Sequence, residues 1–459
     1  MTVRALSRRT GLLALAALLL LSGAAGAQTR TQDSEDPSIV VPAMRDNDQT
    51  NDYAHYNPNP TIDDALNAFG SGDMRTAFND FDQLASGGDA QAQFYLAYML
   101  DHGLYGAENI YGAFSWYQKS AEQGYLPAVA YMGYLYATGR GVIRDDKKAF
   151  KWYTKAAQMG SADAQEALGT MLRDGIGYRR DYGLAAQWFQ QAAMQDNARA
   201  QADLAQMYLS GHGVQANPAV ALYWYKYAAR QNDVYALTAL GYMYRNGVGV
   251  KADAAVALEY YAAAARQGHA PAELALAHMY ERGEGDASKG PSDAALWYFK
   301  AARQGNAEAR MRLAYDYENG YGLPQDSALA IKWYTMAMHE NRDMSALVAL
   351  ARIYREGKIV PRDIGKAAGL YKECAATGVP ECQMQLGLLY KDGQGVDRDQ
   401  GLAYVWLDLA AQGLPAGKEK SDAVVARIEV ANGMSQGDLD HARSAVDAWQ
   451  IAPLSSVNW

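Results

Sequence analysis

The amino-acid sequence predicts an all-α protein, a superhelical solenoid of about nine helical hairpins with capping helices at either end. Three observations carry that expectation. A small residue recurs every 36 or 37 residues from Ala92 to Cys382. An apolar residue always follows four positions later, and a glycine always follows eleven positions later. A fixed period of this length marks a stacked array, and 459 residues are too many for one ordinary compact domain.

Taken in order, residues 1–27 read as a secretory signal peptide. Arg4, Arg8 and Arg9 form a basic start, Gly11 to Leu21 is apolar, and Ala25-Gly26-Ala27 offers a cleavage pattern before Gln28. The apolar run is too short to span a bilayer, and no later stretch reaches the length of a membrane helix. The expected location is therefore periplasmic or secreted, with no integral membrane span. Residues 28–60 are polar and rich in Asp, Asn and Pro, and read as a disordered linker. Residues 61–88 read as a degenerate capping hairpin, and 89–413 as nine repeats. Residues 414–459 read as two closing helices, about 415–430 and 435–449, and a tail.

Within the repeats, spacings of four and eight residues place Ala128, Met132 and Tyr136, and their equivalents, on one helix face. Glycines such as Gly139 end this first helix in a left-handed conformation. Seven repeats add a second glycine two residues on, as at Gly141 and Gly395. A second helix follows, marked by aromatic pairs such as Trp152-Tyr153 and Trp188-Phe189 and then by small pairs such as Ala156-Ala157. One hairpin cannot bury so large an aromatic, whereas stacked hairpins can.

The stretch AVAYMGYLYATGRGVIRDDKKAFKWYTKAAQMG resembles the Sel-one-like repeats, a relative of the tetratricopeptide repeat. The resemblance covers about residues 89–413. It implies a right-handed α/α superhelix and a role in binding other proteins, in envelope assembly, exopolysaccharide export or restraint of a signalling receptor.

The two cysteines, Cys374 and Cys382, replace small residues in columns that are expected to face each other where one repeat meets the next. Their spacing is similar to that of the secreted, cysteine-rich branch of the family, which implies a disulfide in an oxidising compartment. A pair of buried thiols is the alternative.

The chemistry-bearing motifs are missing from the sequence. The seven histidines are scattered without H-E-x-x-H or zinc spacing, so neither metal nor cofactor is expected. The Gly-x-Gly segments follow helices and lack the pattern of a phosphate-binding loop. Some cysteine-rich relatives have been described as penicillin-binding or β-lactamase-like, but no S-x-x-K or K-T-G occurs here. No enzyme is expected. A formal charge of −9 disfavours nucleic acid as a partner. Removing the three leader arginines makes it −12.

The candidate binding surface is the stripe of first-helix positions two, six and nine after the small residue, which point away from the buried face. It offers Tyr98, Tyr134, Tyr242, His278, Tyr315, Arg245, Arg352 and Arg355, and it varies from repeat to repeat where the core columns do not. Tyrosine and arginine are the residues most used as binding anchors. The bland alternative is that these side chains pack on neighbouring repeats. The expected function is thus an extracytoplasmic scaffold holding partner proteins or extended peptides in a concave groove. A glycan- or small-molecule-binding protein is the second reading.

Overall fold

The computed structural model describes residues 58–451. The expected signal peptide and most of the expected linker lie outside the described residues. Among the described residues there are twenty-two helices and no strand. The first pair, Ile62–Ser71 and Met74–Ser86, forms the opening hairpin. Nine further hairpins follow, from Ala90–Asp101 with Ile110–Glu122 to Pro380–Asp392 with Gln400–Gly413. Two closing helices, Lys418–Asn432 and Gln436–Ala448, end the described chain.

The helix ends follow from local chemistry. Eight of the nine second helices begin at an Asp or Asn whose side chain accepts the backbone N–H three residues on, as at Asp145, Asp181, Asn217 and Asp326; Pro291–Arg303 begins at Gly290 instead. A cap of this kind stabilises a helix by about 1 kcal/mol. The same residues close the preceding loop, because their own N–H donates to a carbonyl nine residues earlier, as Asp145 does to Tyr136 and Asp399 to Tyr390. First helices such as Leu126–Thr138 and Ala162–Asp174 end at glycines in the left-handed region, Gly139 at φ 76° and Gly175 at φ 75°.

The residues divide into two compact bodies. One runs to Ala239 and includes Val248–Val250; the other takes Leu240–Gly247 and everything from Lys251. In the first body the core is built around Leu96, Tyr117, Met132, Leu168, Phe189 and Leu204, all fully buried. In the second it is built around Leu313, Tyr298, Leu350, Tyr371 and Leu386. In most pairs the second aromatic is the one that dives inward, as Tyr117, Phe189, Tyr225 and Tyr298 do. Its ring lands on the tiny residue five positions after the small one. A Cβ added at Gly169 would lie 2.7 Å from the Phe189 ring, and one added at Gly241 would lie 2.7 Å from the Tyr261 ring.

The second glycine of each Gly-x-Gly segment lets one repeat touch the next. In the first body a Cβ on Gly177 would lie 2.2 Å from the Asp146 carbonyl oxygen, at the start of the preceding repeat's second helix. One on Gly213 would lie 2.2 Å from that of Tyr182. In the second body Gly285 meets Ala254, and Gly395 meets Ile364, in the same way. These glycines are inter-repeat contact points as well as turns.

Cys374 and Cys382 form a disulfide, with both residues fully buried and their Cα atoms 5.8 Å apart. It ties the end of helix Ile364–Ala376 to the start of helix Pro380–Asp392.

Candidate interaction groove

The first-helix stripe is built differently in the two bodies. In the first, Tyr98 is half-buried, with its ring 4.1 Å from that of His102 and 6.2 Å from that of Phe69 in the opening hairpin. Tyr134 is also half-buried, with its ring 5.3 Å from that of Tyr131. The Tyr131 hydroxyl in turn donates to Asp101 at 2.8 Å, and the Arg140 guanidinium donates to the same carboxylate at 2.8 Å. Further along, Arg173 donates to Asp203 at 2.7 Å, and the Thr170 hydroxyl donates to Glu166 at 3.1 Å. Burial pushes the Glu166 carboxyl up to about 7, and the charge of Asp203 adds to the effect.

In the second body the stripe is more open. Tyr242 is 50% exposed and Tyr315 is 46% exposed. Arg245 is held by Glu284 through two bonds of 2.7 and 3.0 Å, which keep that carboxyl below its ordinary range. Arg352 donates to Glu318 at 2.6 Å, and the Tyr334 hydroxyl donates to the other oxygen of the same carboxylate at 2.9 Å. Arg355 is bonded to Gln385 of the following repeat. His278 lies within 2.9 Å of both Glu308 and the Tyr298 hydroxyl. That hydroxyl donates to Glu281 at 2.7 Å, and Glu281 also takes Arg312. His278, Glu281, Arg282, Glu308, Met311, Arg312, Tyr315 and Tyr321 line an open cleft of about 510 Å³.

Of the eight stripe residues singled out from sequence, Tyr242 and Tyr315 thus present the most ring surface. Arg245, Arg352, Arg355 and His278 are engaged with neighbouring side chains, and Tyr98 and Tyr134 lean on adjacent rings. The partners that engage them were not legible as single residues, but a spacing signal exists. At two junctions position nine of one repeat meets the middle residue of the Gly-x-Gly 39 residues later: Asp101 meets Arg140 and Arg245 meets Glu284. The charges are opposite in both cases and reversed between them.

A second regularity sits just beside the small residue. Buried Gln93, Gln165, Gln201 and Gln383 each donate to a carbonyl eight residues earlier, at the end of the preceding second helix. Three of them also receive or offer a bond to a glutamine at the close of their own repeat, as Gln231 donates to Gln201 at 3.1 Å. Every buried amide is thereby satisfied while it stitches two repeats together.

Among the described residues, no three or more His, Cys, Asp or Glu side chains gather as a metal site would require. Nor is any described helix long and apolar enough to cross a membrane.

Stacked helical hairpins with such inter-repeat contacts define an α-helical repeat protein of the tetratricopeptide-like kind. The Sel1 repeat matches nine successive segments between residues 90 and 413, and the chain belongs to that family. A Sel1 repeat protein from Oxalobacter formigenes is 32% identical over 63% of this chain and 87% of its own, with a TM-score of 0.53. The protein c5321, described as a protective antigen of uropathogenic Escherichia coli displaying an SLR fold, is 28% identical. It aligns over 81% of this chain and 94% of its own, with a TM-score of 0.47. No curated protein matches the chain. Sel1 repeats generally mediate protein–protein interaction, and proteins built from them are typically not enzymes.

Proposed function

We propose that the protein is an extracytoplasmic scaffold or adaptor that holds partner proteins or extended peptides along its first-helix stripe. The carrying observation is the pair of half-exposed rings, Tyr242 and Tyr315, on the stripe of the second body. Around them the charged side chains are already fixed by Glu284 and Glu318, so a partner would meet a preorganised surface and little ordering entropy would be lost. The basic and apolar opening segment ending at Ala25-Gly26-Ala27 supports export, and so does the bonded cysteine pair. The resemblance to other Sel1-repeat proteins favours envelope assembly, exopolysaccharide machinery or signalling as the setting.

The test is photo-crosslinking in living cells from positions 242 and 315, with the exposed second-helix positions 151 and 259 as reference. Capture of one defined protein from the stripe alone supports the reading. Equal capture from both sets overturns the groove assignment.

A second reading, a glycan binder, draws on the exposed Tyr223 ring, which lies tilted 4.7 Å from that of Tyr227 on a second helix of the first body. Retention of the purified protein on polysaccharide, lost in Tyr223→Ala, would favour it.

A further inference from the structure

The seventh position after the small residue is a core column. Met99, Leu135, Met171, Met207, Met243, Met279, Ile353 and Leu389 fill it in eight repeats, and all are buried. In repeat 7 the column holds Asp316, which is as buried as its apolar counterparts, with 2% of its surface exposed. A carboxylate in such a place costs folding free energy unless it is paired or neutral.

Its pairing is poor. The Asp316 Oδ1 lies 3.3 Å from the Arg312 Nε, yet both atoms are sealed from solvent and neither has a hydrogen-bond partner. The same guanidinium is already committed to Glu281 of repeat 6. One cation therefore serves two carboxylates. The other groups around Asp316 do not repair the imbalance. From repeat 6 come Tyr298, which donates to Glu281, and His278, which pairs with Glu308. On the far side Tyr334 and Arg352 both donate to Glu318. Burial, reinforced by the charge of Glu281 and opposed by Arg312, pushes the Asp316 carboxyl up to about 7.

We propose that the junction of repeats 6 and 7 is a proton-operated clasp. With Asp316 neutral, the side chains that join helices Ala270–Glu281 and Ala307–Asn319 stay in place; with Asp316 charged they loosen and the cleft bounded by Met311, Tyr315 and Tyr321 opens. The sign follows from linkage. Asp316 binds a proton in the folded chain at pH values where the unfolded chain has released it. The stabilisation is therefore complete only below the ordinary carboxylate range, at about pH 4, and is lost progressively as the pH rises to about 7. The clasp rests on packing inside the second body and needs no partner in the groove.

The experiment is hydrogen exchange by mass spectrometry on the full chain, at about pH 5.5 and about pH 8, corrected for intrinsic exchange rates. Protection of residues 274–281 and 310–319 is expected to fall about tenfold at the higher pH, while residues 347–354 and 383–390 serve as unchanged references. Asp316→Asn and Asp316→Leu are expected to abolish the fall; the leucine restores the residue type of the column, which guards against misfolding. Glu281→Gln removes the repelling charge and is expected to move the midpoint to lower pH. Unchanged protection in the wild type, or the same fall in Asp316→Leu, overturns the clasp.

Discussion

The reciprocal pairs across repeats set the chemistry of single residues. Arg245 and Glu284 form a two-bonded ion pair that is only partly open to water, with side chains 21% and 28% exposed. A planar guanidinium on a carboxylate is specific in geometry, but partial exposure limits its value to about 1 kcal/mol. Arg245→Glu should therefore lower the thermal midpoint by a few degrees, and more in low salt than in high. Adding Glu284→Arg should recover most of the loss, because Asp101 and Arg140 already show that the reversed polarity is accepted. A double mutant no better than the single would mean that the contact is incidental. At this scale the sequence was least legible. The stripe residues could be named from helical angles, since a periodicity of 3.6 fixes which positions leave the core. Which of them keep an open ring depended on side chains one repeat away, and Tyr98 and Tyr242 occupy the same column with different exposure.

At the scale of elements, the loops carry the strongest constraints. Gly213 has φ 73° and sits where a methyl group would fall 2.2 Å from the Tyr182 carbonyl oxygen. Gly213→Ala should destabilise the first body by about 1–3 kcal/mol, read by denaturant unfolding. Gly160→Ala is the control: its φ of 95° carries strain but its surroundings are empty, so it should cost less. The disulfide closes a short loop between two elements, and its loss should cost about 2–3 kcal/mol. Cys374→Ala with Cys382→Ala, small residues native to these columns, should show that loss in melting experiments, and reducing agent should have no further effect. The helix boundaries were readable because glycine and capping residues recur in register. Two closing helices, Lys418–Asn432 and Gln436–Ala448, follow the ninth hairpin. The loop-closing bond from each cap N–H to a carbonyl nine residues back was not readable, since backbone pairing leaves no mark in residue type.

For the molecule taken whole, the carboxylates with raised values outweigh those held low. Burial is the first cause for Glu166 and Asp316, each pushed up to about 7, and for Asp163, Asp203, Asp233 and Glu273, which are raised as well. Glu284 and Glu356 are lowered by their cationic neighbours. Raised acids contribute stability that is complete below about pH 4 and is lost between there and about pH 7, and lowered acids contribute stability that is lost only in stronger acid. The melting temperature should therefore peak between about pH 4 and about pH 5, decline to about pH 7 and level off beyond it, and Glu166→Gln should flatten that decline. A midpoint that rises steadily to about pH 8 would contradict this balance. The repeat count and period were legible across the chain because nine copies average out local noise. The division into two bodies was not, since its boundary falls inside a helix, Val234–Asn246, that looks like every other first helix in the array.

The reversed polarity of the pairs at position nine also gives the array an internal order. A hairpin following Asp101 must bring a cation in its loop, and one following Arg245 must bring an anion. Transplanting the Glu284 hairpin behind Asp101 would set two negative groups face to face, although its helices and glycines would fit. These two junctions thus carry an address for the neighbouring repeat, and shuffling the array there demands that addresses match as well as lengths.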